Sequence, residues 1–254
     1  MFNFLFKSGK VDPDLSFIGV DMHSHLLPGL DDGLQELKQS VDFIRDLQQL
    51  GYQKLICTPH ILSDLYPNSR DTILPKLEVV RTALQQENIS IEIDAAAEYM
   101  MDHEFAQVLS NTTNKNQLLT LQQEYILVEM SYLAPSPNVE QMLFDIRMLG
   151  LKPILAHPER YSYYHRDFEQ YDRFKELGCS LQVNLLSLSG GYGPEVKRTA
   201  EKLFKKEMVD FLGTDMHHSR HLSMLKGLAS KKEFYSLVST ADLKNKSLLG
   251  LATT

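Results

Sequence analysis

The sequence predicts an α/β protein whose parallel strands form a seven-stranded (β/α) barrel. Seven short apolar runs alternate with amphipathic helical stretches,. Three of the helical stretches end in Leu-Gly and are followed by another apolar run, which is typical of a helix that leads into a parallel strand,. Both features also fit a doubly wound sheet. Polar residues of metal-binding type follow most of the runs, and this favours the barrel, in which functional side chains collect at the carboxyl ends of the strands.

Each predicted element follows from its apolar pattern. A helical period connects Leu34 to Leu47 and a second one connects Ile73 to Leu84,. The Leu-Gly pairs stand at 50–51, 149–150 and 177–178. No linker or low-complexity segment interrupts the chain, so we interpret 1–254 as a single domain with 1–16 as a short N-terminal arm,. The predicted strands are Phe17–Met22, Lys54–Thr58, Ile91–Ala97, Tyr125–Ser131, Pro153–Ala156, Ser180–Leu185 and Phe211–Asp215.

Composition excludes several classes of protein. Of the 254 residues, 43% are hydrophobic and 23% are charged, which is ordinary for a globular chain with a sizeable core,. The net charge of −7 disfavours a protein that binds a nucleic-acid backbone,. Two cysteines, Cys57 and Cys179, build no disulfide framework and indicate reduced thiols in a cytoplasmic protein,. The first ten residues lack the features of a signal peptide, and the longest uncharged run, 177–194, is too polar to span a membrane,.

Metal-type ligands end most of the predicted strands. His23 and His25 alternate along the first strand, so their side chains point the same way and can share one ion,. Glu129 follows three apolar residues, and a half-buried carboxylate needs a partner or a metal,. The other candidates are His60 after strand two, Glu98 after strand three, His157 after strand five, and Asp215 and His217 after strand seven.

The conjunction of these residues carries the prediction. A single histidine at a strand end is more often hydrogen-bonded than metal-bound, and one His-x-His pair also arises by chance. Six strand ends with such residues form a ring that needs divalent cations as counter-charge. The sixth predicted strand ends in Asn184 and is interpreted as one that contributes no metal ligand. Cys57 is assigned to the core.

These residues resemble the polymerase-and-histidinol-phosphatase (PHP) superfamily. The segments HSHLLPGLDDG, AAAEY, ILVEMS, AHPERY and GTDMH are similar to those of the bacterial metal-dependent protein-tyrosine phosphatases of capsule and exopolysaccharide operons. The resemblance covers the chain from about Gly19 to the last helix. It implies a distorted, TIM-barrel-like (β/α) barrel of seven strands with a three-metal centre.

The resemblance also implies roles for individual residues. The first metal would be bound by His23, His25, Glu98 and Asp215; the second by Glu98, Glu129 and His157; the third by Asp32, His60 and His217. Arg160 and Arg220 would bind the phosphate of the substrate. From the residues alone, a salt bridge of Arg160 to Glu159 or Asp167 and a surface role for Arg220 stay open.

The implied reaction is hydrolysis of phosphotyrosine in proteins by a metal-bound hydroxide. Mixed imidazole and carboxylate ligands suit manganese, iron or zinc, and the resemblance favours manganese. The implied partner is a membrane-associated bacterial tyrosine kinase with a tyrosine-rich tail that governs polysaccharide export. The general acid stays open between His60, His217 and Asp64. A tyrosine cluster at 161, 163, 164 and 192 either stacks on a substrate ring or packs the core,.

Other functions are less well supported. The chain has no Cys-x5-Arg motif and no Gly-x4-Gly-Lys-Ser/Thr loop, and its Asp-x-Asp lies in a predicted loop,. An amidohydrolase is disfavoured because glutamates stand where a modified lysine or further histidines are expected. Histidinol-phosphate phosphatase or phosphodiesterase activity stays open. A non-catalytic module that binds a phosphorylated partner ranks lower because all nine expected ligand positions are filled.

Overall fold

The structure, a computed structural model, describes residues 11–250, so 1–10 of the predicted N-terminal arm lie outside the described residues. The predicted α/β class is confirmed, and every pairing between the named strands is parallel. The strands are β1 (Val20–Asp21), β2 (Lys54–Cys57), β3 (His60–Ile61), β4 (Glu92–Ala95), β5 (Glu98–Met100), β6 (Tyr125–Glu129), β7 (Lys152–Ala156), β8 (Ser180–Asn184) and β9 (Phe211–Gly213). The helices are α1 (Leu37–Gln49), α2 (Arg70–Gln86), α3 (His103–Asn111), α4 (Val139–Met148), α5 (Glu169–Glu176), α6 (Leu185–Ser189), α7 (Pro194–Lys205), α8 (Ser219–Ala229) and α9 (Lys232–Val238).

The strands form two parallel sheets. One has the order β1-β2-β4 and the other has the order β3-β5-β6-β7-β8-β9. The two sheets adjoin where β2 gives way to β3, because Pro59 has no N–H to donate to the ladder,. Hydrogen bonds continue across this break, from the Ala96 N–H to the Cys57 carbonyl at 2.9 Å and from the Glu98 N–H to the Pro59 carbonyl at 3.1 Å.

The first and last strands also meet beyond their ends. Ser24 and Met216 form a parallel bridge, and the His25 N–H donates to the Met216 carbonyl at 3.0 Å. The Asp215 N–H donates to the His23 carbonyl at 2.8 Å. The carboxyl ends of β1 and β9 therefore lie side by side, and the predicted ligands that follow them are brought together.

The predicted strand boundaries agree with the structure to within two residues, apart from two larger differences. The predicted run Phe17–Met22 is shortened to β1 because 16–18 form a turn and Gly19 has a φ of 75°, outside the range of a strand,. The predicted strand that ends at Ala97 is followed by a separate strand, β5, that begins at Glu98.

The three predicted Leu-Gly helix ends are confirmed. Gly51 follows α1, Gly150 follows α4 and Gly178 follows α5, with φ values of 98°, 74° and 76°. Glycine adopts this left-handed backbone without the steric cost that a Cβ atom brings. At Gly51 a Cβ atom would also lie 2.7 Å from Asp14 Oδ1, so this position has no room for a side chain.

Two apolar clusters lie on opposite faces of the strands. In β6, Ile126 and Val128 pack in the larger cluster with the helices, whereas Leu127 packs in a smaller cluster with side chains from neighbouring strands. The alternation places Glu129 on the same face as Leu127. No helix within residues 11–250 is long and apolar enough to cross a membrane.

Asp210, just before β9, ties the last strands to the surrounding chain. Its side chain is 8% exposed, accepts the Leu181 N–H at 2.9 Å and pairs with Lys175 and with Lys244 at 2.6 Å. Burial disfavours the ionised carboxyl, but hydrogen bonds from the two lysines hold the pKa of Asp210 below its ordinary value,.

We expect Asp210→Asn to lower the free energy of unfolding by about 2 kcal/mol at pH 7, because charge-assisted hydrogen bonds are lost. The folded pKa lies below the unfolded one, so this stabilisation is complete above about pH 4 and disappears as the pH falls through the folded pKa. Urea unfolding at pH 7 and pH 3 measures it. Asp172→Asn, at an exposed pair with Lys206, is the control; an equal loss in both variants, or a loss independent of pH, would contradict the prediction,.

Candidate metal centre

The predicted ligands surround one cavity at the carboxyl ends of the strands. The cavity has a volume of about 240 Å³. Its lining includes Asp32, His60, Glu129, His157, Asp215, His217 and Arg160. The remaining predicted ligands, His23, His25 and Glu98, are fully buried and contact the lining residues Asp215 and His60. All nine predicted ligand positions therefore belong to one continuous cluster.

Glu98 lies at the centre of this cluster. Its Oε2 atom is 3.1 Å from His23 Nε2, 3.3 Å from His25 Nε2 and 3.1 Å from His60 Nδ1. Its Oε1 atom is 2.9 Å from His157 Nε2. Burial opposes the charged form, but the nearby imidazoles hold the pKa of Glu98 well below its usual range,. This carboxylate is thus held ionised, with four imidazole nitrogens around it.

The same contacts shift the pKa of His23. Burial lowers the pKa of His23, but Glu98 and Asp215 outweigh it and raise the pKa to about 10,. Protons and divalent cations therefore compete for the nitrogens that face the carboxylates, because a metal ligand must be deprotonated.

Three histidines have a fixed tautomer. Each faces an oxygen that can only accept a hydrogen bond from Nδ1, so in the neutral imidazole, the form that binds a metal, Nε2 has its lone pair toward the cluster. The pairs are His23 with Gln182 Oε1 at 2.8 Å, His25 with Asp31 Oδ2 at 2.7 Å and His217 with the Asp215 carbonyl at 2.9 Å. This arrangement is the one that orients histidine ligands in metal sites.

The donor atoms are spaced as ligands that share an ion. Atoms about 2.1 Å from one metal at tetrahedral or octahedral angles lie roughly 3.0–3.4 Å apart. Most of the contacts in the cluster fall between 2.9 and 3.5 Å. Four sets of donors come within 4.8 Å of one another: His23, His25 and Glu98; His23, His157 and Asp215; His60, Glu98 and Glu129; and His25, Asp32, His60 and His217.

His60 lies between two of these sets. Its Nδ1 atom is 2.9 Å from Glu129 Oε1 and 3.1 Å from Glu98 Oε2, yet this buried atom has no partner of hydrogen-bond geometry in residues 11–250. Its Nε2 atom is 3.5 Å from Asp32 Oδ1. A buried polar atom this close to two carboxylates without a hydrogen bond fits a ligand position. The resemblance implied a metal shared by His60, Asp32 and His217, and the structure also brings His60 to Glu98 and Glu129.

Two site residues have an unusual backbone. His157 has a φ of 34° and Asp215 a φ of 50°, the left-handed region that costs a residue with a side chain about 1–3 kcal/mol,. Both residues directly follow buried segments at the ends of β7 and β9. The turn at each position directs an imidazole or a carboxylate into the cluster, and strain of this kind concentrates at functional sites.

Strand β8 supports the cluster with amides. Gln182 accepts from His23 and donates to Asn184 Oδ1 at 2.9 Å, and Asn184 in turn donates to Asp215 Oδ2 at 2.7 Å. The sequence predicts that this strand supplies no metal ligand. In the structure its side chains connect two predicted ligands, His23 and Asp215, by hydrogen bonds. Glu159 is buried beneath it and accepts from the Asn184 N–H at 2.9 Å, and burial raises the pKa of Glu159.

Arg160 has a defined position at the cavity. Its Nη1 atom is 3.1 Å from Asp215 Oδ2, and its guanidinium lies 4.5 Å from the centre of the Tyr132 ring and 4.3 Å from that of Tyr192. The ion pairs that the sequence left open, with Glu159 or Asp167, are not among those formed by residues 11–250. An arginine fixed beside a cluster of metal-type donors is suited to binding a phosphate.

Other candidate residues lie outside the cavity. Arg220 is exposed on α8, and Asp64 is exposed in the loop after β3; neither is part of the lining. Tyr161 and Tyr164 are buried in the core, whereas Tyr192 lines the cavity. The role of Arg220 therefore stays a prediction from the resemblance.

Sequence reasoning missed several residues of the site. Asp31 orients His25, and its position next to Asp32 and before Gly33 was a usable signal. Tyr132 and His221 line the cavity without any motif that marks them. Burial lowers the pKa of His221 to about 4, so this imidazole is neutral near pH 7,.

Parallel strands that end in a buried cluster of imidazoles and carboxylates beside an arginine define the class of metal-dependent hydrolases. A family model described as capsular polysaccharide synthesis, CpsB/CapC, matches residues 19–233. The chain belongs to the CpsB/CapC family.

Individual relatives agree with this family. The tyrosine-protein phosphatase YwqE of Bacillus subtilis is 28% identical over 200 residues, which cover 78% of this chain and 77% of that protein. A solved structure from work on YwqE of Bacillus subtilis and CpsB of Streptococcus pneumoniae, described as unique metal-dependent tyrosine phosphatases, matches with a TM-score of 0.76 and 25% identity. It covers 91% of this chain and 94% of the other.

A more distant likeness concerns the fold alone. The histidinol phosphate phosphatase of Lactococcus lactis, solved with zinc, L-histidinol and phosphate, matches with a TM-score of 0.50 and 15% identity. The match covers 88% of this chain and 93% of that one.

Proposed function

We propose that this protein is a metal-dependent phosphatase that hydrolyses phosphotyrosine in proteins and acts in capsular or exopolysaccharide synthesis. The observation that carries the proposal is the convergence of nine imidazole and carboxylate side chains on a cavity that Arg160 also lines. Membership of the CpsB/CapC family and the names of the relatives support the substrate and the context.

The cluster would hold three divalent cations. We assign His23, His25, Glu98 and Asp215 to the first, Glu98, Glu129 and His157 to the second, and Asp32, His60 and His217 to the third. Distances of about 3 Å between donors, the fixed histidine tautomers and the position of His60 support this set. Oxygen and nitrogen donors without thiolate suit manganese, with iron or zinc as alternatives. When bound, such ions lower the pKa of a coordinated water and neutralise phosphoryl oxygens.

The chain's own residues would orient the substrate. Arg160 presents N–H groups to the phosphate, and its ion pair with Asp215 fixes the direction of the guanidinium,. The carboxylate of Asp215 is itself held by the Asn184 amide, so both groups move little when substrate enters. A phenol has a pKa near 10, so tyrosinate leaves with modest proton help. Of the candidate acids, His60 and His217 line the cavity, whereas Asp64 is exposed.

We also propose that the strands close into a distorted seven-stranded barrel and that the chain is one domain. The parallel pairings run β1-β2-β4 in one sheet and β3-β5-β6-β7-β8-β9 in the other, backbone hydrogen bonds continue across the break at Pro59, and the Ser24–Met216 bridge supports closure between the first and last strands. The smaller apolar cluster supports a barrel interior, because it gathers side chains such as Val20, Leu127, Ile154 and Phe211 from separate strands,.

The proposed partner is a bacterial tyrosine kinase with a tyrosine-rich tail. The support is the family's link to capsule synthesis, since such a tail would present phosphotyrosine to the cavity. A cytoplasmic location stays a prediction that depends on the cysteine content.

The reaction is tested by phosphate release from matched phosphotyrosine and phosphoserine peptides and from histidinol phosphate. We expect release from phosphotyrosine to be fastest with manganese-loaded protein and to stop when a chelator is added, because the ions activate water and bind the phosphate. Release from histidinol phosphate alone would retain the metal centre and overturn the substrate. Tight binding of manganese without release from any of the three would contradict the phosphatase assignment and favour a phosphodiesterase or a binding module.

A further inference from the structure

The guanidinium of Arg160 packs against two aromatic rings that differ in exposure. Its central carbon lies 4.5 Å from the centre of the Tyr132 ring and 4.3 Å from that of Tyr192. Nη1 pairs with Asp215 at 3.1 Å, and the other N–H groups of the guanidinium remain as donors for a phosphate,. A phosphate held by this arginine therefore lies close to both rings.

Tyr132 presents accessible aromatic surface beside Arg160. It stands three residues after Glu129, in the loop after β6, and the residue is 42% exposed. The buried Tyr161 supports it from below, with ring centres 5.9 Å apart, and its hydroxyl is 3.4 Å from His157 Nε2. Tyr192 is half-buried and its hydroxyl is enclosed. The two rings therefore hold Arg160 alike, but Tyr132 has more surface free to contact a bound molecule.

We propose that Tyr132 is a specificity-determining residue: its ring packs against the aromatic ring of the substrate while Arg160 binds the phosphate. This inference rests on the proposed function. A phosphate at Arg160 places the ester group toward the open side of the cavity, beside Tyr132. An aryl group there forms an offset or edge-to-face aromatic contact, whereas the short side chain of phosphoserine offers no ring. Tyr132 thus selects aryl over alkyl phosphates.

The test measures binding of phenylphosphonate and methylphosphonate to the manganese-loaded protein by calorimetry. Neither compound has an ester bond to hydrolyse, so the comparison is independent of leaving-group reactivity. We expect Tyr132→Leu to weaken methylphosphonate by about the same factor as Tyr192→Leu, through the arginine, and to weaken phenylphosphonate about threefold to tenfold further, the size of an aromatic contact. Tyr132→Phe keeps the ring and should keep the preference of the wild type.

Tyr192→Leu is the matched comparison, because it removes the other ring from Arg160. We expect it to weaken both phosphonates by the same factor, through the arginine. An equal loss of both ligands in Tyr132→Leu would overturn the inference and reduce Tyr132 to a residue that positions Arg160. Thermal unfolding checks that each variant is folded, and Tyr132→Met, which keeps an apolar side chain against the guanidinium, replaces Tyr132→Leu if that variant is unstable.

The inference and the proposed function fail in different ways. A wild-type protein that binds phenylphosphonate and methylphosphonate equally overturns the role of Tyr132 even when it hydrolyses phosphotyrosine. A protein that prefers phenylphosphonate through Tyr132 but releases no phosphate supports the aryl site and overturns the phosphatase. Failure to bind either phosphonate overturns the inference, and it overturns the proposed function as well only when phosphotyrosine also releases no phosphate.

Discussion

Glu98→Gln should abolish phosphate release from phosphotyrosine and lower the amount of bound manganese. Glu98 lies within 3.3 Å of nitrogens from four histidines, and both of its oxygens take part. Glutamine keeps the shape but replaces one oxygen with an N–H donor that repels a cation. Loss of residues that merely support a metal ligand costs about 10- to 100-fold, so we expect loss of this ligand to cost at least about 100-fold in kcat/KM. Metal content is measured by mass spectrometry after gel filtration.

Glu104→Gln on the exposed side of α3 is the matched control, because it makes the same chemical change away from the cluster. It should retain metal content and turnover. A Glu98→Gln protein that keeps three metals and wild-type turnover would contradict the assignment of this carboxylate as the shared ligand.

Arg160→Ala should lower kcat/KM for phosphotyrosine by about 100- to 1000-fold, the usual cost of removing a fixed donor to a developing phosphoryl charge. Metal content should stay unchanged, because Asp215 keeps its hydrogen bond from Asn184. Steady-state kinetics and metal analysis on the same preparation measure both quantities. The ratio of the effects on KM and kcat separates ground-state binding of phosphate from stabilisation of the transition state.

Arg166→Ala is the control for this variant, since Arg166 is exposed and lies six residues away. Loss of folding in Arg160→Ala, seen as a lower melting temperature, would indicate that the pair with Asp215 is structural. Arg220→Ala measured in parallel tests the second predicted arginine, and a loss as large as that of Arg160→Ala would place Arg220 on the substrate as well.

Much of the fold and the candidate site follows from local sequence. A strand is marked by its own apolar run, and a Leu-Gly end marks the helix before it, so the predicted strands all overlap strands of the structure. The residue that follows each run then lies at the same edge of a parallel sheet, since parallel strands all end there. His60, Glu98 and His157 were found in this way, without any knowledge of their contacts.

The α/β class, the order of the elements and the kinds of side chain at the strand ends thus follow from the sequence alone. Which of these side chains contact one another depends on the tertiary structure: His60 contacts two donor sets, Gln182 connects His23 to Asn184, and Tyr132 packs on Arg160. The physical reason is that these contacts join side chains far apart in the chain, where differences below 1 Å decide hydrogen bonds and ligation. Local patterns specify which edge a side chain reaches, and packing of the whole chain specifies what it touches there.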